Sequence, residues 1–480
     1  MIRNQWPIFA TLLLLMGCAN PDRQMLRTFK SIKLATEQQS EAYHYAHALC
    51  SQYGPRMSGT PGAAQSEEMA SMLFRSFGYD DVYFQTVPFL QWNRLSADLT
   101  LDSAGITRPV PTLALAYSPS AQLSGWLQDV GNGLISDFQK YNVDGKIAVF
   151  TRDLLPGTPS NVVNRHYSEK ISYAIAQGAI GCIIINSSPG LLCFTGSASL
   201  DGNVLKIPAV SISQEEGLRL RAQWQQGPIR ASLRLENNLQ QTTARNVVAR
   251  LEGATWPNET IVVGAHLDSW DISEGALDNA AGAASVLDIA RLFATLPLPC
   301  KRSLEFVLFT AEEEGCYGSK AYVDEIRRQN RLENIRYMMN MDMTINAIGF
   351  NLMGRYDSED FFRHIGSLIA TTDTLFHPEP THELYLSSDH AAFLFEGIPT
   401  FTTDNAFGDY SIYHTPADSL GALTPNALRP NVSYAAMMLY ALANASELPA
   451  TAFSSEQVQQ YLIDNDLQEA LILSGDWIWN

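Results

Sequence analysis

The sequence predicts an α/β protein, a mixed, mainly parallel sheet flanked by helices with a β-rich domain inserted into it. Three features of the chain point there. From Asn246 onward, apolar runs of strand length alternate with amphipathic runs of helix length, the signature of strands joined by helical crossovers. Between about 95 and 240 the texture changes to short β-like runs with little chemistry. Histidines and acids collect just beyond the apolar runs of the later segment, where sites lie in sheets of this kind.

The bulk numbers bound the rest. A chain of 480 residues exceeds one ordinary core, so two or three domains are expected. It is 46% hydrophobic and 17% charged, a globular composition. With 32 basic against 50 acidic residues the net charge is −18. Such a chain is a poor partner for nucleic acid or anionic lipid, which need clustered Lys and Arg. Its basic pairs, Lys301-Arg302 and Arg327-Arg328, read as solvated faces.

Taking the elements in order, residues 1–17 read as a lipoprotein signal peptide. A single Arg3 precedes an apolar run, Trp6 to Met16, that is too short to span a bilayer. The run ends in Leu15-Met16-Gly17-Cys18, which resembles a bacterial lipobox with Cys18 as the lipidated residue. Ala19-Asn20 gives no retention signal, so the expected location is the outer membrane, facing the periplasm. The lipid on Cys18 would be the sole membrane contact. Residues 18–40 are polar and read as a tether. Five further cysteines at irregular spacing form no disulfide framework. Cys182 and Cys193 are near enough in sequence to pair, the alternative being small buried hydrophobes.

Residues 41–95 and 241–450 make the main domain. Helices are expected at 41–53 and 62–77, with the punctuated loop Gly54-Pro55-Arg56-Met57-Ser58-Gly59 between them, and a strand at 81–89. Residues 96–240 form the inserted domain, with strands at 146–151, 181–186 and 207–212 and a helix at 167–177. Further strands are expected at 246–252, 260–266, 303–310, 336–342 and 398–402. Helices are expected at 279–294, 316–329, 358–371 and 425–447. Residues 451–480 form a C-terminal helical tail, with one amphipathic helix at 455–474 followed by Trp477-Ile478-Trp479.

Five segments carry chemistry. His266-Leu267-Asp268 ends an apolar strand, and an Asp two positions on can hold the imidazole tautomer. Asp278, at the mouth of an Ala/Gly-rich helix, is a plain helix cap or a carboxylate between two metal ions. Glu312-Glu313-Glu314 follow an apolar strand. There one acid can bind metal while its neighbour stays free as a general base, its pKa raised by the others. Asp342 ends a hydrophobic strand, a costly place for an acid unless it is paired or ligates a metal. His414 stands in Ile412-Tyr413-His414-Thr415-Pro416-Ala417-Asp418 and is weak evidence by itself. Together, His266, Asp278, Glu313, Asp342 and His414 suffice for two zinc ions sharing Asp278. Each ion would have a His and a terminal carboxylate, and N/O ligands without thiolate suit catalytic zinc.

These segments resemble the zinc-dependent aminopeptidase family with co-catalytic metals and, within it, the carboxypeptidase Q-like branch. His266-Leu267-Asp268-Ser269-Trp270-Asp271, Thr310-Ala311-Glu312-Glu313 and the Gly54–Gly59 loop carry the likeness. The 96–240 block resembles a protease-associated domain in Ala176-Gln177-Gly178-Ala179-Ile180-Gly181 and Ile207-Pro208-Ala209-Val210. The resemblance implies a zinc-peptidase fold, with His266 and Asp342 on one zinc, Glu313 and His414 on the other, and Asp278 bridging. It implies Glu312 as general base and Asp268 as the support of His266. Ser388-Asp389-His390 departs toward the smaller bacterial aminopeptidases and puts Asp389 and His390 near the pocket, as wall rather than ligands. Glu314 leaves a one-residue ambiguity among the three acids.

The expected function is therefore a dizinc exopeptidase, an aminopeptidase or dipeptidase acting on short peptides. A carboxypeptidase-type dipeptide hydrolase is the alternative, which would want a cation for the substrate carboxylate; Arg355 is a candidate. A single-zinc aminoacyl cyclase would not need all five ligands, and a metal-free receptor-like relative would show substituted ones. No G-x-S-x-G elbow, H-E-x-x-H helix or phosphate loop occurs. A homodimer stays open.

Overall fold

One continuous sheet runs through most of the molecule. The structure is a computed structural model that describes residues 21–103, 105–406 and 410–479. The strands are β1 (Asp81–Ser103), β2 (Ile106–Val110), β3 (Leu113–Ala114), β4 (Ala121–Asp129), β5 (Ile147–Thr151), β6 (Gly181–Ile185), β7 (Ala209–Ile212), β8 (Ile229–Leu251), β9 (Trp256–His266), β10 (Arg302–Phe309), β11 (Ile335–Asn340), β12 (Ala347–Asn351) and β13 (Thr400–Asn405). In the main domain β10, β9, β11 and β13 lie side by side and parallel. Antiparallel β12 closes one side and β8 the other. In the inserted domain β4, β5, β6 and β7 are parallel neighbours.

The central strands are covered on both faces, as parallel sheets require. Every residue of β10 is buried, and helices Ala281–Thr295 and Pro425–Asn444 pack together on one face. The Ala-rich sequence of the first of these lets it lie close to its neighbours. Gly282 marks the closest approach: a Cβ there would stand 1.9 Å from the Met341 carbonyl oxygen. The mixed, mainly parallel α/β architecture is thus the one the alternation of apolar runs predicts.

Three expectations need correction. Residues 21–39 are not a tether but a helix, Pro21–Gln39, that buries Phe29, Ile32, Ala35 and Thr36 against helices Glu359–Thr372 and Pro425–Asn444. Its apolar stripe is one residue wide per turn, and abundant Gln, Lys and Arg mask it. The bounds expected for the inserted domain, near 95 and 240, are not breaks in secondary structure. Both positions fall inside β1 and β8, which pair continuously from Asp81↔Arg250 to Ser103↔Ile229 and so form a rigid two-stranded arm. Burial along β8 explains the mistake: it alternates at first, is exposed around Asn238–Gln241, then is continuously buried over Val247–Ala249. The last predicted helix is two, Ser455–Asp464 and Gln468–Ser474, broken where Asp466 takes a left-handed φ of 59°. Trp477 and Trp479 pack back onto Leu394, Val458, Leu462 and Leu471.

All five described cysteines are free, and Cys182 and Cys193 are buried apolar groups. Arg355 is no anion contact of a pocket. It is buried, paired with Asp357, and donates to the carbonyls of Gly397 and Thr451. Cys18 and the leader lie outside the described residues. Among those described, no helix is long and apolar enough to cross a membrane.

Candidate metal centre

The parallel strands deliver their carboxyl ends to one edge. His266 is the last residue of β9, and Asp268 follows it. The three glutamates follow β10, Asp342 follows β11, and His414 lies in the segment after β13. Asp278 sits just before helix Ala281–Thr295, next to Asn279. Strand ends make these positions rigid, and each backbone is then locked by a side chain of its own.

Asp278 is the hub. Its Oδ1 lies 3.0 Å from His266 Nε2, and Asp342 Oδ1 lies 3.3 Å from the same nitrogen. Its Oδ2 lies 3.1 Å from His414 Nε2, which Glu313 Oε2 approaches to 3.3 Å. Two groups able to hold a metal ion result, His266–Asp278–Asp342 and Asp278–Glu313–His414. The donor-to-donor spacings match the edge of a tetrahedron built on metal–ligand bonds of about 2.0–2.1 Å.

Electrostatics make the same point. Asp268, Asp278, Glu313, Glu314 and Asp389 are buried, and Glu312 and Asp342 stand beside them. The imidazoles of His266 and His414 are the only basic ligands facing them in the two groups. Burying uncompensated carboxylates costs several kcal/mol each, so they take protons or a cation. Burial, then the charges of Asp342, Glu313 and Asp389, push Glu312 well above the usual carboxylate range. Burial and Asp278 do the same for Glu313. Asp278 moves the other way: burial raises it, but hydrogen bonds from His266 and His414 outweigh that and hold it low. Burial lowers His266, yet Glu312, Asp342, Asp268 and Asp278 together raise it well above an ordinary imidazole. Glu313 Oε1 and both oxygens of Glu314 and Asp389 are buried with no hydrogen-bond partner. An N/O donor set with surplus buried anionic charge and orphaned oxygens fits divalent zinc.

The supporting shell is dense. Asp268 accepts from the amides of Glu312 and Glu313, both at 3.3 Å, and stands 3.6 Å from His266 Nδ1. That spacing is long for a hydrogen bond, so it acts on the imidazole by charge and on the glutamates by position. Asp418 accepts from the amides of Ala276, Leu277 and Asp278. Asn279 donates to Met341 O and accepts from Met343 N, tying the Asp278 segment to the Asp342 turn. Arg56, wholly buried, donates to the carbonyls of Leu49, Leu267, Glu274 and Gly275, clamping the loop after His266. Trp270 Nε1 lies 3.2 Å from His414 Nε2, and Tyr413 stacks on the His414 ring.

Sequence reasoning missed Asp418, Asn279, Trp270 and Tyr413 as parts of the site. Each stood inside a quoted motif, but Asp418, Asn279 and Trp270 act across long sequence separations. Glu314 resolves its own ambiguity by direction. Its carboxylate is in neither ligand group, and its carbonyl accepts from Tyr117 of the inserted domain. His390 lies behind the ligands, 2.8 Å from the Tyr385 carbonyl and 3.4 Å from Asn340 Nδ2. Asp389 is pushed up to about 7 by burial.

A parallel sheet that gathers two imidazoles around a shared carboxylate at its carboxyl edge defines a metal-dependent hydrolase. Residues 246–439 match the model of peptidase family M28, and residues 111–220 that of the PA domain. The chain carries a peptidase family M28 domain and, ahead of the matched stretch, a PA domain. It is 27% identical to aminopeptidase YwaD of Bacillus subtilis, over 92% of this chain and 93% of that protein. It is 24% identical to human carboxypeptidase Q, over 85% and 87%. Among solved structures, a peptidase M28 precursor from Shewanella amazonensis superposes with a TM-score of 0.78 at 24% identity, covering 90% of this chain and all of that one. A zinc aminopeptidase from Bacillus subtilis superposes at 0.66 and 25% identity, covering 86% and 98%.

Proposed function

We propose that the protein is a dizinc exopeptidase of short peptides, with His266 and Asp342 on one zinc, Glu313 and His414 on the other, Asp278 shared, and Glu312 as general base. The observation that carries this reading is the division of Asp278: one oxygen faces each His–carboxylate pair. The name of the Bacillus subtilis zinc aminopeptidase supports the choice of metal. Bound there, zinc ions supply Lewis acidity that polarises a carbonyl and acidifies a water.

The chain's own groups do the rest. Glu312 is in neither ligand group and follows the Asp268-anchored turn, so its carboxylate is free to move a proton. It takes the proton of the attacking water and later passes it to the leaving amine. Its raised affinity for a proton suits both transfers. Asp268 holds the glutamate turn and His266 in place. Tyr413, pushed up by burial and by the charges of Asp278 and Glu313, keeps its proton at any working pH.

The test measures metal content and rate together. Purified protein should carry two zinc ions per chain, and a chelator should abolish peptide hydrolysis that zinc restores. Glu312→Gln should keep both metals and lose roughly 10²–10⁴-fold in kcat. Full activity in the chelated protein or in the Gln variant would sink the mechanism. Similarity to an aminopeptidase and to a carboxypeptidase Q is nearly equal, so the choice of substrate end lies with contacts outside the ligands.

A further inference from the structure

Among the described residues, Cys316 is the one cysteine that is partly exposed; Cys50, Cys182, Cys193 and Cys300 are buried. Where the buried thiols donate, they donate to the backbone, Cys193 to Pro111 O and Cys300 to Leu298 O. Cys316 has a different partner. Its Sγ lies 3.5 Å from Glu312 Oε1, within the reach of a thiol donor. Among the described residues this is the only side-chain hydrogen bond that the Glu312 carboxylate makes.

The backbone brings these two side chains together. Cys316 N donates to the Glu312 carbonyl at 2.9 Å, which closes one turn. The Cys316 carbonyl in its own right accepts from Lys320 N at 3.1 Å and from Ser319 Oγ at 3.3 Å. The turn holds Cys316 at a left-handed φ of 56°, a region that glycine enters freely and other residues enter at a cost. A glycine would suit this backbone better. The chain keeps a thiol there, so the side chain has a use that offsets the strain.

Glu312 has need of such a partner. Its backbone is fixed through its amide on Asp268 Oδ1, but its side chain turns about torsions of its own. His266 attracts that carboxylate, while Asp342, Glu313 and Asp389 repel it. A group that moves a proton works only when its reacting oxygen keeps a constant direction. The thiol holds Oε1, and Oε2 is the oxygen left to take and pass the proton. Enclosure by the protein, then the charges of Glu312 and Asp389, push the thiol well above its ordinary range, so it stays a donor.

We propose that Cys316 is a positioning residue of the peptidase centre, its S–H donating to Glu312 Oε1 and fixing the direction in which that carboxylate exchanges protons with water and leaving amine. The proposal rests on the reading of Glu312 as general base. The experiment measures kcat, KM and zinc content with leucyl-leucine and leucyl-p-nitroanilide, with and without chelator. It compares the wild type, Cys316→Gly, Cys316→Ala and Cys316→Ser, and repeats Cys316→Gly in a Glu312→Gln background. Cys316→Gly suits the left-handed backbone, so it should fold and keep its zinc. Its kcat should fall about 3- to 10-fold with KM unchanged, as expected for one lost hydrogen bond. Cys316→Ala should fall likewise, and Cys316→Ser, which keeps a hydroxyl donor, should recover part of the loss. In the Glu312→Gln background the same Gly substitution should change kcat less than about twofold, because no proton carrier is left to position. An unchanged kcat in Cys316→Gly overturns the proposal, and so does an equal loss in both backgrounds, which marks a merely structural role. If the wild type is chelator-sensitive and Glu312→Gln is impaired while Cys316→Gly is not, the Cys316 assignment fails alone. Full activity in Glu312→Gln removes the general-base reading and this proposal with it.

Discussion

The two parallel stretches of this sheet, one in each domain, use the same construction and bury opposite charges. In both, parallel strands end at a shared edge under helical cover. The peptidase edge gathers Asp278, Glu312, Glu313 and Asp342 around two imidazoles. The edge of the inserted domain carries Lys170 and Arg152 with no carboxylate partner among the described residues. Glu312, Glu313 and Glu314 at the first edge are pushed up by burial and by neighbouring carboxylates. Lys170 at the second is pushed down to about 8 by burial. A fold thus supplies rigid edges, and the residues on them decide which charge an edge carries.

The largest way to break this contrast is to remove its hub. Asp278→Ala takes one oxygen from each ligand group at once. Activity should fall by more than the roughly 10²–10⁴-fold expected for Glu312→Gln, and zinc content should drop below two per chain. Retention of both metals with measurable turnover would mean that Asp278 is not shared.

A second test uses pH on the chelated protein. The acids of the glutamate turn have folded pKa values above their unfolded ones. Between the two the folded state binds more protons, so stability is highest at low pH and falls as pH rises through and above the usual carboxylate range. Chelated protein should therefore melt progressively lower from about pH 4.5 toward neutral. Saturating zinc should reverse the loss, with about 4 kcal/mol per site when free zinc is a thousandfold above Kd. A flat melting profile without metal would contradict the charge surplus described for this edge.

How much of this was legible follows from the range of each interaction. His266, Asp278, Glu313, Asp342 and His414 could be picked out because most of them stand just beyond an apolar run, an uneconomical place for a polar group without a partner. The alternation of strands and helices was legible for the same local reason. Asp418, 140 residues from Asp278, and Arg152, 261 from Tyr413, carry no local signal. Neither does the continuity of β1 with β8, because a paired arm with two solvated stretches looks like a linker. The Pro21–Gln39 helix was hidden by its composition, since one apolar residue per turn suffices when the partner surface is already built.

The smallest expected effect tests the inserted domain's side of the contrast. Lys170 has a folded pKa of about 8 against 10.5 for the ordinary amine, with burial as the largest cause. The sign is opposite to that of the acids. The folded state gives up the proton first, so this group costs stability at neutral pH and the cost is relieved as pH rises from about 8 toward 10.5. The relief is at most about 3 kcal/mol for a shift of this size. Lys170→Met removes the titration and leaves the carbonyls of Thr151 and Arg152 without their donor. The variant should lose ground to the wild type between pH 7.5 and pH 10 in thermal melts, because only the wild type gains from deprotonation. Parallel melting curves over this range would show that the buried amine stays charged in the folded protein like an ordinary lysine, against a burial-depressed titration.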